Sequence, residues 1–194
     1  MSLTGVRILA FSGSTRANSF NKKLVRIASA GAAQTGAVVT SLDLRDLNLP
    51  LYDGDLEAKS GLPEGGHQLK HLLNSHDGFL ISSPEYNSSY SAVLKNAIDW
   101  ASRPVPNEKP LQGFTGKVAV LMSASPSPFG GLRGLLSLRS LLSNIQVIVL
   151  PQQVTLNTAH EAFDQSDNLK DPKQQASAEK LGRDLAETIA KLNA

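Results

Sequence analysis

Three polar stretches each follow a short apolar run, and each carries side chains suited to holding a ligand. The first, Gly13-Ser14-Thr15-Arg16-Ala17-Asn18-Ser19-Phe20-Asn21, offers three hydroxyls, a guanidinium and two amides. The residues after it turn helical, so unpaired helix N–H groups and the positive end of the helix dipole gather there. A phosphate suits that place, and Arg16 can grip it through two parallel hydrogen bonds. An ordinary polar turn with Ser19 as helix N-cap would use the same residues. No GxxxxGK[ST] loop and no GxGxxG turn occurs in the chain, which sets aside the two commonest nucleotide fingerprints.

The second stretch is Pro84-Glu85-Tyr86-Asn87-Ser88-Ser89-Tyr90. Pro84 stops strand pairing, and the residues beyond it mix carboxylate, amide, hydroxyl and aromatic groups. That mixture can cradle a flat heteroaromatic ring needing several hydrogen bonds along one edge; a surface turn with Tyr86 packed inward is the plainer reading. The third runs from Ser123 to Arg133, where Gly130-Gly131 opens a helix. A second anion could enter there beside Arg133, although a glycine pair also serves simple helix entry. His67 and His71 lie one helical turn apart and His76 follows. Such spacing can serve zinc, but with no HExxH the preferred reading is a solvated helix face.

Composition narrows the chemistry. Cysteine is absent, which excludes disulfides, thiolate-held metals and a cysteine nucleophile. Nineteen Lys and Arg against 17 Asp and Glu leave a net charge of +2, too small a surplus to imply a nucleic-acid partner. Every apolar run is far shorter than the ~20 residues of a membrane span. The first, Val6–Phe11, carries Arg7 and is too short for a signal-peptide core. A cytoplasmic protein without nucleic-acid or membrane partners is expected. Its 194 residues suit a single domain over 1–194.

The elements that must position these stretches follow from hydrophobic periodicity. Val6–Phe11, Ala37–Leu44, Gly78–Ile81, Lys117–Met122 and Ile145–Leu150 read as strands. Between them Ser19 to about Gly36, Glu64–Asn74, Tyr90–Ala101 and Leu132–Leu142 read as helices, and Pro172–Leu192 as a final one. In the first helix Leu24, Ile27, Ala28 and Gly31 share a face; in the last, Leu181, Leu185, Ile189 and Leu192 do. Arg45–Gly66, rich in proline and glycine, reads as a long functional loop. Repeated strand–helix alternation with strands apolar on both faces predicts an α/β three-layer sandwich, a five-stranded parallel sheet with helices on both sides. Ligands of such sheets sit beyond the carboxyl ends of the strands, where all three polar stretches fall.

Gly-Ser-Thr-Arg-x-x-Ser-x-Asn at 13–21, Pro-Glu-Tyr-Asn at 84–87 and Leu-Lys-Asn-Ala-Ile-Asp-Trp at 94–100 occur in that order. Together they resemble the NAD(P)H-dependent FMN reductase family, a flavodoxin-like group that includes quinone, chromate and azo-dye reductases. The resemblance implies FMN as cofactor and NADPH or NADH as electron donor. It places the FMN phosphate on Ser14, Arg16, Ser19 and Asn21, assisted by main-chain amides of Thr15, Arg16, Ala17, Asn18, Ser19 and Phe20. It places the isoalloxazine ring against Pro84, Glu85, Tyr86 and Asn87, partly through main-chain groups. Ser123 and Ser125 fall in the family's Ser/Gly-rich stretch near the flavin, from which this chain departs at Ala124, Pro126 and Pro128. Lys95, Asn96, Asp99 and Trp100 are expected to be structural, with Lys95 and Asp99 at i,i+4 spacing able to pair. The family likeness also implies a homodimer or homotetramer, in keeping with the leucine surplus of 132–142.

The expected activity is hydride transfer from nicotinamide through flavin N5 to a small-molecule acceptor: a quinone, a flavin, an azo compound or a metal oxyanion. The chemistry belongs to the cofactor, so no catalytic side chain and no metal is expected. A flavodoxin-type electron carrier is the alternative; such carriers are typically acidic, whereas this chain carries +2. A non-enzymatic nucleotide-binding module would retain the first loop but leave Pro-Glu-Tyr-Asn without a purpose.

Overall fold

The computed structural model describes Leu3 and residues 5–194. The elements run β1 (Arg7–Ser12), α1 (Phe20–Ala33), β2 (Val38–Asp43), α2 (Gly54–Ser60), α3 (Glu64–Ser75), β3 (Gly78–Ser82), α4 (Ala92–Ala101), β4 (Val118–Ala124), α5 (Leu132–Asn144), β5 (Ile148–Leu156) and α6 (Pro172–Leu192). The strands form one parallel sheet in the order β2-β1-β3-β4-β5. This is the flavodoxin-like arrangement, with the strand order reversing between β1 and β3.

Side-chain alternation divides the core. Ile8, Ala10, Leu80, Val120 and Met122 face α1 and α6, whereas Leu9, Phe11, Phe79, Ile81 and Leu121 face α3, α4 and α5. β1, β3 and β4 are therefore apolar on both faces, as a covered parallel sheet requires. The α1–α6 pair packs backbone to backbone: a Cβ at Gly31 would lie 2.0 Å from the Glu179 carbonyl oxygen, and one at Gly182 would lie 1.9 Å from that of Ala28. Gly31, whose periodicity alone places it on the buried face, is there because nothing larger fits.

Two segments differ from the sequence expectation. The fifth strand lies at Ile148–Leu156, not 145–150, because α5 continues to Asn144 and Gln146 turns the chain with φ +70. β5 is an edge strand whose register against β4 slips between Ala119 and Leu121, where Ala119 faces Val149 but Leu121 faces Gln153. Arg139 of α5 donates to the Val149 and Leu150 carbonyls at 3.2 and 2.7 Å and to Gln153 Oε1 at 3.1 Å. It thereby satisfies carbonyls at this bulge. The second difference is α2, inside the stretch read as a loop. Asp53 caps it, accepting from the Asp55 amide at 2.8 Å.

Candidate functional site

β1 ends at Ser12, and the chain leaves the sheet through Gly13. Its amide donates to the Ser82 carbonyl at 2.9 Å, and its own carbonyl accepts from Ser91 Oγ at 2.5 Å. Ser19 then caps α1 with its hydroxyl 3.4 Å from the Lys22 amide, as its position before the apolar face predicts. Ser14 Oγ accepts from the Arg16 amide at 3.4 Å. Arg16 itself is exposed; among the described residues no carboxylate pairs with it, and its guanidinium lies 5.9 Å above the Phe20 ring. A cation without an acidic partner beside a helix N-terminus is the arrangement an anion needs.

Asn21 has another task. Its Oδ1 accepts from Ser82 Oγ at 2.9 Å and from the Ala124 amide at 3.0 Å, and its Nδ2 donates to the Ala124 carbonyl at 2.9 Å. Buried to 3% exposure, it braces the first turn of α1 across the ends of β3 and β4. Most of its hydrogen-bonding capacity is thus used inside the protein.

Beyond β3, Pro84 is buried and the chain folds back in a tight turn. The Tyr86 amide donates to the Ser89 carbonyl at 2.9 Å and the Ser89 amide returns the bond at 3.0 Å. Asn87 and Ser88 at its corners have φ +51 and +65, a two-residue turn of the kind that favours asparagine at its first corner. Asn87 is exposed at this corner, so its residue type has a backbone reason. Glu85 points away from the turn. Its Oε1 accepts from Arg133 Nε and Nη2 at 2.9 and 2.6 Å, and its Oε2 accepts from the Gly134 amide at 3.0 Å. Burial would raise this carboxyl, but the bonds from the Gly134 amide and the Arg133 guanidinium outweigh it and hold it below its ordinary value.

At the end of β4, Ser123 is fully buried and its hydroxyl has no partner among the described residues; the same holds for the hydroxyl of Ser12. Gly131 passes so close that a Cβ there would lie 1.9 Å from Ser123 Oγ, and its φ is +90. Both requirements exclude other residues.

These loops enclose an open cleft of about 200 Å³ lined by Ser14, Arg16, Ser19, Phe20, Asn21, Pro84, Glu85, Tyr86, Ala124, Ser125 and Pro126. Most of the expected ligand-holding residues therefore meet in one place. Thr15 instead lines a neighbouring hollow with Arg45, Asn48 and Asn96, and Ala17 lines another with Lys22 and Asp43. One end of the cleft is cationic and rich in hydroxyls, and the other carries proline, tyrosine and main-chain groups. The pairing suits a phosphate joined to a flat polar ring, whereas Ser123, expected beside such a ring, lies beneath Gly131 and does not line the cleft.

Ala124 and Pro126 join the lining although neither offers a side-chain polar group. Asn96 and Trp100 hold the loop before α2: Asn96 Nδ2 and Trp100 Nε1 both donate to the Pro50 carbonyl at 2.8 Å, while Asn96 Oδ1 accepts from the Tyr52 amide at 2.8 Å. The structural expectation for both residues stands, as does the Lys95–Asp99 pair at 2.6 Å. Arg133, which the sequence offers as a partner for a second anion, is bound to Glu85. His67 and His71 are exposed on α3, whereas His76 is buried between the Leu72 carbonyl and Thr40 Oγ1, at 2.7 and 2.8 Å.

Strand order and a cleft at the strand ends define a flavodoxin-like α/β protein. Residues 6–161 match the family model described as NADPH-dependent FMN reductase, and the chain belongs to that family. It is 37% identical over 170 residues to an NAD(P)H-dependent FMN reductase of Pseudomonas aeruginosa, covering 87% of this chain and 86% of the relative. It is 32% identical over 145 residues to a quinone reductase of Escherichia coli, 75% of this chain and 73% of that one. Among solved structures it is similar to a flavoenzyme NAD(P)H:(acceptor) oxidoreductase from Paracoccus denitrificans, with a TM-score of 0.78 and 26% identity over 96% of this chain and 98% of that one.

Proposed function

We propose that this chain is an NAD(P)H-dependent oxidoreductase that holds FMN in the strand-end cleft and serves a quinone, a free flavin, an azo compound or a metal oxyanion as electron acceptor. The observation that carries this reading is the joining of two unlike ends in one cleft, in a chain of the FMN reductase family. When bound, FMN supplies an N5 position that accepts hydride from the nicotinamide and gives it on to the acceptor. The protein's own part is binding and orientation. Arg16, the Ser14 and Ser19 hydroxyls and the first amides of α1 hold the phosphate, where charge and helix dipole act together. Main-chain groups of Pro84–Asn87 and the Ser125 loop flank the ring. No side chain need give or take a proton.

NADPH or NADH enters the same cleft in turn with the acceptor. A homodimer or homotetramer is part of the reading: Phe129, Leu132 and Leu136 are exposed at 57, 39 and 57% around the start of α5, an apolar surface that a second copy would cover.

The test is steady-state oxidation of NADH and of NADPH by purified protein, with and without added FMN, against a quinone and ferricyanide. Turnover that rises with FMN and proceeds without any added reductase is expected. Oxidation rates unchanged on adding FMN to the flavin-free apoprotein overturn the reading, and slow NAD(P)H oxidation with rapid exchange of electrons with a separate reductase moves the chain to the carrier class.

A further inference from the structure

Helix α5 begins without a conventional cap. Its N-cap position is Gly131, which has no side chain to accept from the helix amides. Four N–H groups at a helix start need partners, and here one partner arrives from another element. Glu85, 49 positions before Gly134, accepts from the Gly134 amide at 3.0 Å in the place a capping side chain would occupy. The same carboxylate takes two bonds from Arg133, whose guanidinium lies 4.9 Å above the ring of Phe129. The Glu85 side chain is only 6% exposed although Arg133 is half exposed. Gly134 permits the approach, since a Cβ there would lie 3.2 Å from Glu85 Cβ. One carboxylate therefore ties the loop after β3 to the start of α5 and, through Arg133, to Phe129 in the loop after β4.

We propose that Glu85 is a positioning residue for the flavin ring: as a cap supplied to α5 from another loop, it sets the main chain of Pro84–Asn87 against the 125–131 loop, so the ring meets an edge formed before binding. The inference rests on the FMN reading above. It assigns the Glu85 carboxylate to the protein rather than to the cofactor. It also fixes where Arg133 acts, through Glu85 and Phe129. Ring and phosphate ends are then separable, because Glu85 touches none of the groups that hold the phosphate.

That separation supplies the test. Riboflavin has the ring without the phosphate, so binding of riboflavin and of FMN is titrated by flavin fluorescence for wild type, E85A, E85Q and R16A. E85A is expected to weaken both flavins by the same factor, at least about tenfold, the scale of one charge-assisted hydrogen bond. E85Q, which keeps an acceptor for the Gly134 amide but loses the charge facing Arg133, is expected to fall between. R16A is expected to weaken FMN alone. Amide hydrogen exchange on the flavin-free proteins reads the clamp directly: residues 85–90 and 132–135 exchange faster in E85A while α1 keeps its wild-type protection. E85A binding both flavins within twofold of wild type, with unchanged exchange at 85–90, overturns the proposal. Loss of FMN binding with riboflavin binding intact overturns it equally, since Glu85 would then belong to the phosphate end. Wild-type protein that takes up neither flavin overturns the functional reading, and the exchange comparison still decides whether the clamp exists.

Discussion

The two ends of the cleft are built in opposite ways. The end proposed for the phosphate is assembled largely by neighbours in sequence: Ser19 caps the helix that follows it, Ser14 bonds the amide two residues on, and Arg16 projects from the loop between them. The end proposed for the ring is held by distant pairs, Glu85 with Arg133 and Gly134, over the close contact of Gly131 with Ser123. Local construction brings binding groups to one place at low entropic cost, because the helix organises them as it forms. Distant construction depends on the sheet and on α5 being in place, and a single wrong atom there displaces two loops.

Gly131→Ala breaks the ring end most severely. The new Cβ meets the Ser123 hydroxyl at 1.9 Å from a backbone with φ +90, so steric conflict and backbone strain add to a loss of roughly 2–4 kcal/mol. Denaturant melts would show that loss, and flavin titration would show weakened binding of riboflavin and FMN together. Asn21→Ala comes next. It removes three buried hydrogen bonds and strands the Ser82 hydroxyl and both main-chain groups of Ala124, about 2–3 kcal/mol. If Asn21 is a brace, the melt moves while the ratio of FMN to riboflavin affinity in the remaining folded protein stays at the wild-type value. A collapse of that ratio would make it a phosphate ligand instead.

Arg16→Ala sharpens the contrast from the other side. Arg16 is exposed and pairs with no described carboxylate, so the melt should not shift by more than about 0.5 kcal/mol, the range for surface changes. FMN affinity should fall by about 1.5–3 kcal/mol, the worth of a charge-assisted bond to phosphate, with riboflavin unaffected. Equal losses for the two flavins would place Arg16 at the ring.

The same difference in construction explains what is legible in the sequence. The 13–21 loop and its cap can be read directly because the signals lie within one turn of the residues they serve. Four of the five strands fall where their apolar runs predict: β1, β3 and β4 because both their faces are buried, and the edge strand β2 because Val38, Val39 and Thr40 are β-branched. β5 fails for a physical reason: Ile145 and Val147 look like strand residues but belong to the end of α5 and its turn, while Pro151, Gln152 and Gln153 hide the strand. What makes those polar residues acceptable is a bulge at a sheet edge, supported by Arg139 from the preceding helix. Glu85 shows the limit most clearly. Its residue type and place in Pro-Glu-Tyr-Asn point to the cleft, and nothing local reveals that its carboxylate caps a helix far along the chain.

The smallest effect concerns the shape of the stability profile with pH. The Glu85 carboxyl is held below its ordinary value of 4.5 in the folded chain. Folding therefore gains from its charge at every pH above 4.5, and the gain is lost as the pH falls through the lower folded value. Two other carboxyls share this acid limb. Asp43 is pushed up by burial but drawn down further by its bonds from Lys22 and the Arg45 amide, and Asp167 is drawn down chiefly by its bond from Lys23. Both lie around α1, at the phosphate side of the molecule, so the whole-protein curve mixes the two ends. The difference between wild type and E85Q isolates one of them. Urea melts of the flavin-free proteins between pH 7 and about pH 3 should show the wild-type advantage constant near neutrality and shrinking below 4.5. Parallel curves through the acid range would mean that the carboxylate charge contributes nothing to the clamp, and that the bond to the Gly134 amide alone holds the ring end together.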